Sequence, residues 1–72
     1  MVILYSKSDC QPCRLTARAF NAKGIEFREE KVDESPEALA RIKELGYLQA
    51  PVVFVSDDNH WSGLQPDKIN QL

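Results

Sequence analysis

Seventy-two residues are enough for one compact domain and too few for two, and a core this small leaves a thin margin of stability. The composition, 43% hydrophobic and 28% charged, is that of a globular chain with no stretch long enough to cross a bilayer. Nine Lys and Arg against eleven Asp and Glu leave a net charge of −2, so no basic field gathers phosphates and a nucleic-acid partner is not expected.

The chain opens with Val2-Ile3-Leu4-Tyr5, an apolar, β-prone run that reads as a strand buried on both faces. No basic, apolar, small-residue leader precedes it, so a cytoplasmic location is the expectation. Polar residues Ser6 to Asp9 end the strand. From about 11 to 23 the spacing predicts a helix with Cys13, Ala17 and Phe20 on one stripe and Gly24 as its stop. Residues 25–32, IEFREEKV, begin with strict alternation and read as a second strand near a sheet edge. Asp33-Glu34-Ser35-Pro36 sets up a second helix, with Ser35 as N-cap and Pro36 as first helical residue. It is expected to run to about Leu45, with Leu39, Ile42 and Leu45 facing inward and Glu37 paired with Arg41. Val52 to Val55 forms a third strand, Asp57-Asp58-Asn59 a turn, His60-Trp61-Ser62 a short returning strand, and Pro66-Asp67 the start of a last helix ending near Leu72.

The order βαβαββα predicts an α/β fold: a four-stranded mixed sheet flanked by three helices, with 1–72 as a single domain. The first βαβ unit implies a right-handed crossover and a parallel pair, while the last two strands are joined tightly enough to require a hairpin. This assembly puts Cys10 at the carboxyl end of a central strand, where open α/β sheets carry their sites.

Cys10 and Cys13 are the only cysteines. As a structural staple they would close a ring of about four residues and remove only about 1.9 kcal/mol of unfolded-state entropy, against about 4 kcal/mol for a loop near 50 residues. As a zinc site they are half a ligand set, with His60 the single histidine and carboxylates or a second subunit needed to complete it. As a redox pair they have the right context, a C-x-x-C between a strand and the first turn of a helix. Three-residue spacing brings both sulfurs to one side of that turn. Cys10, at or before the N-cap, meets the free N–H groups and positive dipole end that favour a thiolate, and is expected to face solvent as the attacking group. Cys13, on the apolar stripe, is expected to lie deeper and to resolve the mixed disulfide. Lowering a thiol pKa from about 8.5 to about 7 gains roughly sixteenfold in thiolate and returns roughly fivefold in nucleophilicity, a net of about threefold. Exposure, partner positioning and the intramolecular second thiol must supply the rest. Lys7 and Arg14 would add to thiolate stabilisation and Asp9 oppose it. Pro12 suits the first helical turn and stiffens the pair. Thr16 either bonds back to a helix carbonyl or steadies the buried sulfur.

These residues resemble the thioredoxin superfamily, and within it the glutaredoxin-sized NrdH-type redoxins. The similarity covers nearly the whole chain: the C-x-x-C followed by Thr16, GYLQAPVV at 46–53, and HWSGLQPDKI at 60–69, close to a W-S-G-F-x-P-D signature with Leu64 in place of Phe. The resemblance implies a thioredoxin-like, glutaredoxin-type fold with a cis Ala50–Pro51 bond, a state that X–Pro bonds adopt only about 5% of the time. It implies that the main chain at Ala50 pairs with an extended substrate segment. It also implies a partner-binding surface of Ala50, Pro51, Trp61, Ser62 and Gly63, with Lys7, Pro12 and Thr16 tuning the dithiol. Trp61 is read either as a core residue or as a flank of that surface, and His60 as a solvated turn residue.

The activity implied is that of a disulfide reductase donating electrons to a class Ib ribonucleotide reductase and recharged by thioredoxin reductase. It would act as a monomer without a bound cofactor, the flavin and NADPH residing on the partner reductase. Ser62-Gly63-Leu64-Gln65-Pro66 replaces the Gly-Gly-x-Asp-Asp-like element with which glutaredoxins hold glutathione, although Lys7 and the Ala50 main chain would remain. Pro12 stands where the family often has Gln, which implies a potential nearer about −270 mV than the glutaredoxin range around −200 to −230 mV. The alternatives are a glutathione-dependent glutaredoxin and a non-catalytic metal- or partner-binding module.

Overall fold

The computed structural model describes residues 1–72, which run β1 (Val2–Ser6), α1 (Gln11–Lys23), β2 (Phe27–Lys31), α2 (Pro36–Glu44), β3 (Val52–Ser56), β4 (Asn59–Ser62) and α3 (Pro66–Asn70). The four strands form one mixed sheet in the order β2-β1-β3-β4. β1 and β2 are parallel, with Val2 opposite Phe27, and β2 is an edge strand as expected. β3 is antiparallel to both β1 and β4, with Tyr5 opposite Val52 and Val53 opposite Trp61.

Alternation along the strands divides the core between two faces. Leu4, Val53 and Trp61 meet Phe20 of α1 and Ile69 of α3 on one side. Tyr5 and Val52 meet Ala38 and Ile42 of α2 on the other. β1 and β3 are thus covered on both faces, which is why their sequences are apolar without alternation. An edge-to-face contact between Phe20 and Phe27, centroids 5.1 Å apart, closes the α1 face at the parallel edge.

Both long helices begin and end for local reasons. Cys10 is the N-cap of α1, and Gly24 closes that helix in the left-handed region at φ 70°. Gly24 N–H reaches the Asn21 carbonyl and Ile25 N–H the Phe20 carbonyl at 2.9 Å. This closure of the Schellman type uses the Ile25 amide, so β2 begins at Phe27 rather than at 25. Ser35 caps α2, its hydroxyl accepting the Ala38 N–H at 3.2 Å.

Two expectations for α2 are corrected. Ala38, not Leu39, joins Ile42 and Leu45 on the inward stripe, because 38, 42 and 45 follow i, i+4, i+7 while Leu39 turns outward and is 37% exposed. Arg41 pairs with Glu44 at 3.4 Å and lies 5.1 Å from the Phe54 ring, while Glu37 accepts from the Ser35 hydroxyl at 3.3 Å. The Glu37–Arg41 pair does not form. α3 is short, Pro66–Asn70, with Gln71 as its C-cap, close to the expected end near Leu72.

Candidate active site

β1 delivers the chain to the sheet's carboxyl edge, and the loop from Ser6 to Cys10 turns it into α1. Three bonds fasten this loop to β2 and the turn after it. The Ser6 hydroxyl donates to Glu29 Oε2 at 2.6 Å, Val32 N–H donates to the Ser6 carbonyl at 2.8 Å, and Ser8 N–H donates to Asp33 Oδ2 at 3.1 Å. Asp9 then takes a left-handed backbone, φ 54°, which Asp tolerates better than most residues. Cys10 follows extended, φ −119° and ψ 103°, as the helix cap.

Cys10 and Cys13 are joined by a disulfide, their Cα atoms 5.2 Å apart. Cys13 N–H donates to Cys10 Sγ at 3.2 Å, and Arg14 N–H closes the first helical bond on the Cys10 carbonyl at 3.1 Å. The cysteine therefore does what a Ser or Asp does at an ordinary N-cap, accepting an amide that the helix cannot itself satisfy. An anionic sulfur in this place would accept a stronger, charge-assisted bond at the positive end of the dipole.

The expected contrast in exposure is corrected. Cys10 is 5% and Cys13 3% exposed, because capping turns the Cys10 sulfur back over the first turn and against its partner. What distinguishes the two sulfurs is hydrogen bonding: only Cys10 Sγ accepts a helix amide. Thr16 is fully buried, and its hydroxyl donates to the Pro12 carbonyl at 2.8 Å, tying down the residue between the cysteines. Pro12 sits in the first turn, exposed. Lys7 is exposed on the loop and makes no ion pair.

Ala50–Pro51 is cis and directly precedes β3. Since Val52 lies opposite Tyr5, this segment enters the sheet at the edge from which the dithiol loop leaves. The end of β4 and the turn after it hold this segment: Ser62 Oγ donates to the Gln49 carbonyl at 3.2 Å and Gly63 N–H to the Pro51 carbonyl at 2.8 Å. Gly63 adopts φ 86°, which favours glycine. Between these two anchors the Ala50 main chain makes no hydrogen bond within the molecule.

Of the two readings of Trp61, core residue or docking flank, the structure shows the core residue. Pairing with Val53 points it at α1 and α3, where it is 3% exposed, with Lys68 Nζ 6.0 Å from its ring. His60, expected to be solvated, is half-buried on the opposite face: Tyr47 Oη lies 2.8 Å from its Nδ1, and its ring stacks on Phe54 at 6.2 Å. The β4 alternation carried that signal, since neighbouring strand residues face opposite sides.

Asp33 is the residue that sequence reasoning missed, having taken it as part of a helix start. Bonds from the Ser8 side chain and then its backbone N–H hold the carboxyl below its ordinary range. No local pattern reveals a contact spanning 25 positions. No three His, Cys, Asp or Glu side chains cluster together in the fold.

Comparison with known proteins agrees with this geometry. Residues 2–61 match the glutaredoxin family. The chain is 39% identical over 71 residues to the glutaredoxin-like protein NrdH of Escherichia coli K12, covering 99% of this chain and 86% of that one. It is 35% identical over 72 residues to the glutaredoxin-like protein NrdH of Lactococcus lactis subsp. cremoris, covering 100% and 99%. The solved structure of Escherichia coli NrdH-redoxin, a glutaredoxin-like protein with a thioredoxin-like activity profile, superposes with a TM-score of 0.91 at 39% identity, over 99% of this chain and 92% of that one. A glutaredoxin from Archaeoglobus fulgidus superposes with a TM-score of 0.81 at 26% identity, over 99% and 83%. The chain therefore belongs to the glutaredoxin family, as an NrdH-type redoxin and disulfide oxidoreductase whose redox pair is Cys10 and Cys13.

Proposed function

We propose that this redoxin is a protein electron donor to a class Ib ribonucleotide reductase and is itself re-reduced by thioredoxin reductase, with Cys10 as nucleophile and Cys13 as resolving thiol. The observation that carries the assignment of roles is the Cys13 N–H bond to Cys10 Sγ, which favours the thiolate at Cys10 alone. In the reduced protein the Cys10 thiolate attacks a substrate disulfide, forming a mixed disulfide and releasing one substrate thiolate, which takes up a proton. Cys13 then loses its proton and attacks Cys10 Sγ, breaking the mixed disulfide and releasing the second substrate thiol. Two electrons and two protons pass to the substrate, and the Cys10–Cys13 disulfide remains.

The main chain at Ala50, unpaired and held by Ser62 and Gly63, is suited to hydrogen-bond an extended substrate segment beside the disulfide. Thioredoxin reductase as the reductant is supported by the thioredoxin-like activity profile of the Escherichia coli relative and by the want of a carboxylate anchor in Ser62-Gly63-Leu64-Gln65-Pro66.

Reduction of a protein disulfide is measured with NADPH and thioredoxin reductase, and in parallel with glutathione and its reductase. The first system is expected to sustain turnover and the second to fail; the reverse pattern makes the protein a glutathione-dependent glutaredoxin. The Cys13→Ser variant is expected to retain substrate through Cys10 as a mixed disulfide, including the reductase's disulfide-bearing subunit. Capture through a sulfur other than Cys10, or none, overturns the assigned roles.

A further inference from the structure

We infer that the outer stripe of α1, Gln11, Arg14, Leu15 and Arg18, is a docking strip for carboxylates flanking the disulfide of the partner protein; the inference rests on the electron-donor reading above. These positions follow i, i+3, i+4, i+7 on the side of the helix opposite buried Cys13, Thr16 and Phe20. They line one surface depression, Leu15 half-buried and Arg14 and Arg18 exposed.

The charges are placed against the helix's own preference. α1 has no acidic residue in its first turn, although the dipole favours one there, and has Arg14 one residue past Cys13 instead. Arg14 and Arg18 are like charges one turn apart, an unfavourable spacing. Neither is relieved within the molecule, whose two ion pairs are Arg28–Glu30 and Arg41–Glu44. All eleven acidic residues lie outside α1, so a chain of net charge −2 keeps one wholly cationic helix, and it is the helix that starts at the disulfide. A local arrangement that costs stability without an internal partner is the pattern of a functional surface.

Length fixes where the partner's acids must be. The strip spans seven helical steps, about 10 Å at 1.5 Å per residue. An extended chain covers that distance in about three residues. The fitting occupant is a segment with Asp or Glu within about three residues of its cysteines.

The test uses three synthetic disulfide peptides that differ only in those flanking residues, acidic, neutral or basic, with turnover driven by NADPH and thioredoxin reductase at low and high salt. At low salt kcat/KM is expected to favour the acidic peptide over the neutral one by about fivefold, the effect of two exposed ion pairs. Salt should erase most of that preference. R14Q/R18Q should lose the acidic-over-neutral ratio, which is taken within the variant and so does not depend on its basal rate, and should melt no lower; R14K/R18K should keep it. A parent protein that reduces all three peptides alike at low salt overturns the docking strip and leaves the electron-donor reading standing. Failure to reduce any of them overturns both. A preference that survives in R14Q/R18Q places the recognition elsewhere and also overturns the strip.

Discussion

Asp33 and Cys10 show how much of this site depends on single backbone amides. One amide, of Ser8, is held by Asp33, and the other, of Cys13, is given to the sulfur. Because the folded state holds the Asp33 carboxyl below its ordinary value of 3.8, the tie stabilises the loop fully above that value and is lost as pH falls through the lower folded one. At neutral pH the loop is therefore fastened. Asp33→Asn keeps an acceptor but removes the titration, so the variant is expected to lose less stability than the parent as pH drops below about 4. Denaturant unfolding of both proteins across that range checks it, and equal losses would detach Asp33 from the loop's acid sensitivity. This tie joins two segments that the sequence offers no reason to pair, whereas the C-x-x-C was legible because its spacing is itself the chemistry.

Among the elements, those with local causes were readable and those set by tertiary contacts were displaced. Ser35-Pro36 and Gly24 announced a helix start and a helix stop, and both occur where the sequence places them. Ser35→Ala is expected to cost about 1 kcal/mol through the orphaned Ala38 N–H, read as a lower midpoint in urea; an unchanged midpoint would show that the cap contributes nothing to α2. The inward face of α2 was misread because Leu39 is the more hydrophobic residue, while the sheet selects the smaller Ala38 for close approach beside Tyr5 and Val52. Trp61 was left undecided for the same reason: the alternation of a four-residue strand shows that neighbours face apart, not which side is covered. β4 resolves this only through its register with β3.

At the scale of the whole molecule, a sheet clad on both faces holds the dithiol loop and the Ala50–Pro51 turn at one edge, so the site is only as firm as the core beneath it. Phe20 is fully buried between β1, β3 and α3, on the same helical stripe as Cys13 and two turns along it. Phe20→Ala is expected to cost about 3–5 kcal/mol. A chain of 72 residues has only about 4–11 kcal/mol in total, so the variant should lose a large share of its stability and melt far below the parent, and a calorimetric melt near the parent's would contradict this packing. The architecture was legible because element order, the tight hairpin and handedness leave few ways to close a four-stranded sheet. The covering of Cys10 was not, since it follows from the sulfur folding back onto its own helix amide. That bond is also where the account is most directly exposed to experiment. In the reduced Cys13→Ser variant, the Cys10 thiolate can be followed by ultraviolet absorbance and alkylation rate against pH. A helix amide donating to the sulfur predicts a single midpoint clearly below the ordinary thiol value of about 8.5, whereas a midpoint at or above that value would contradict it.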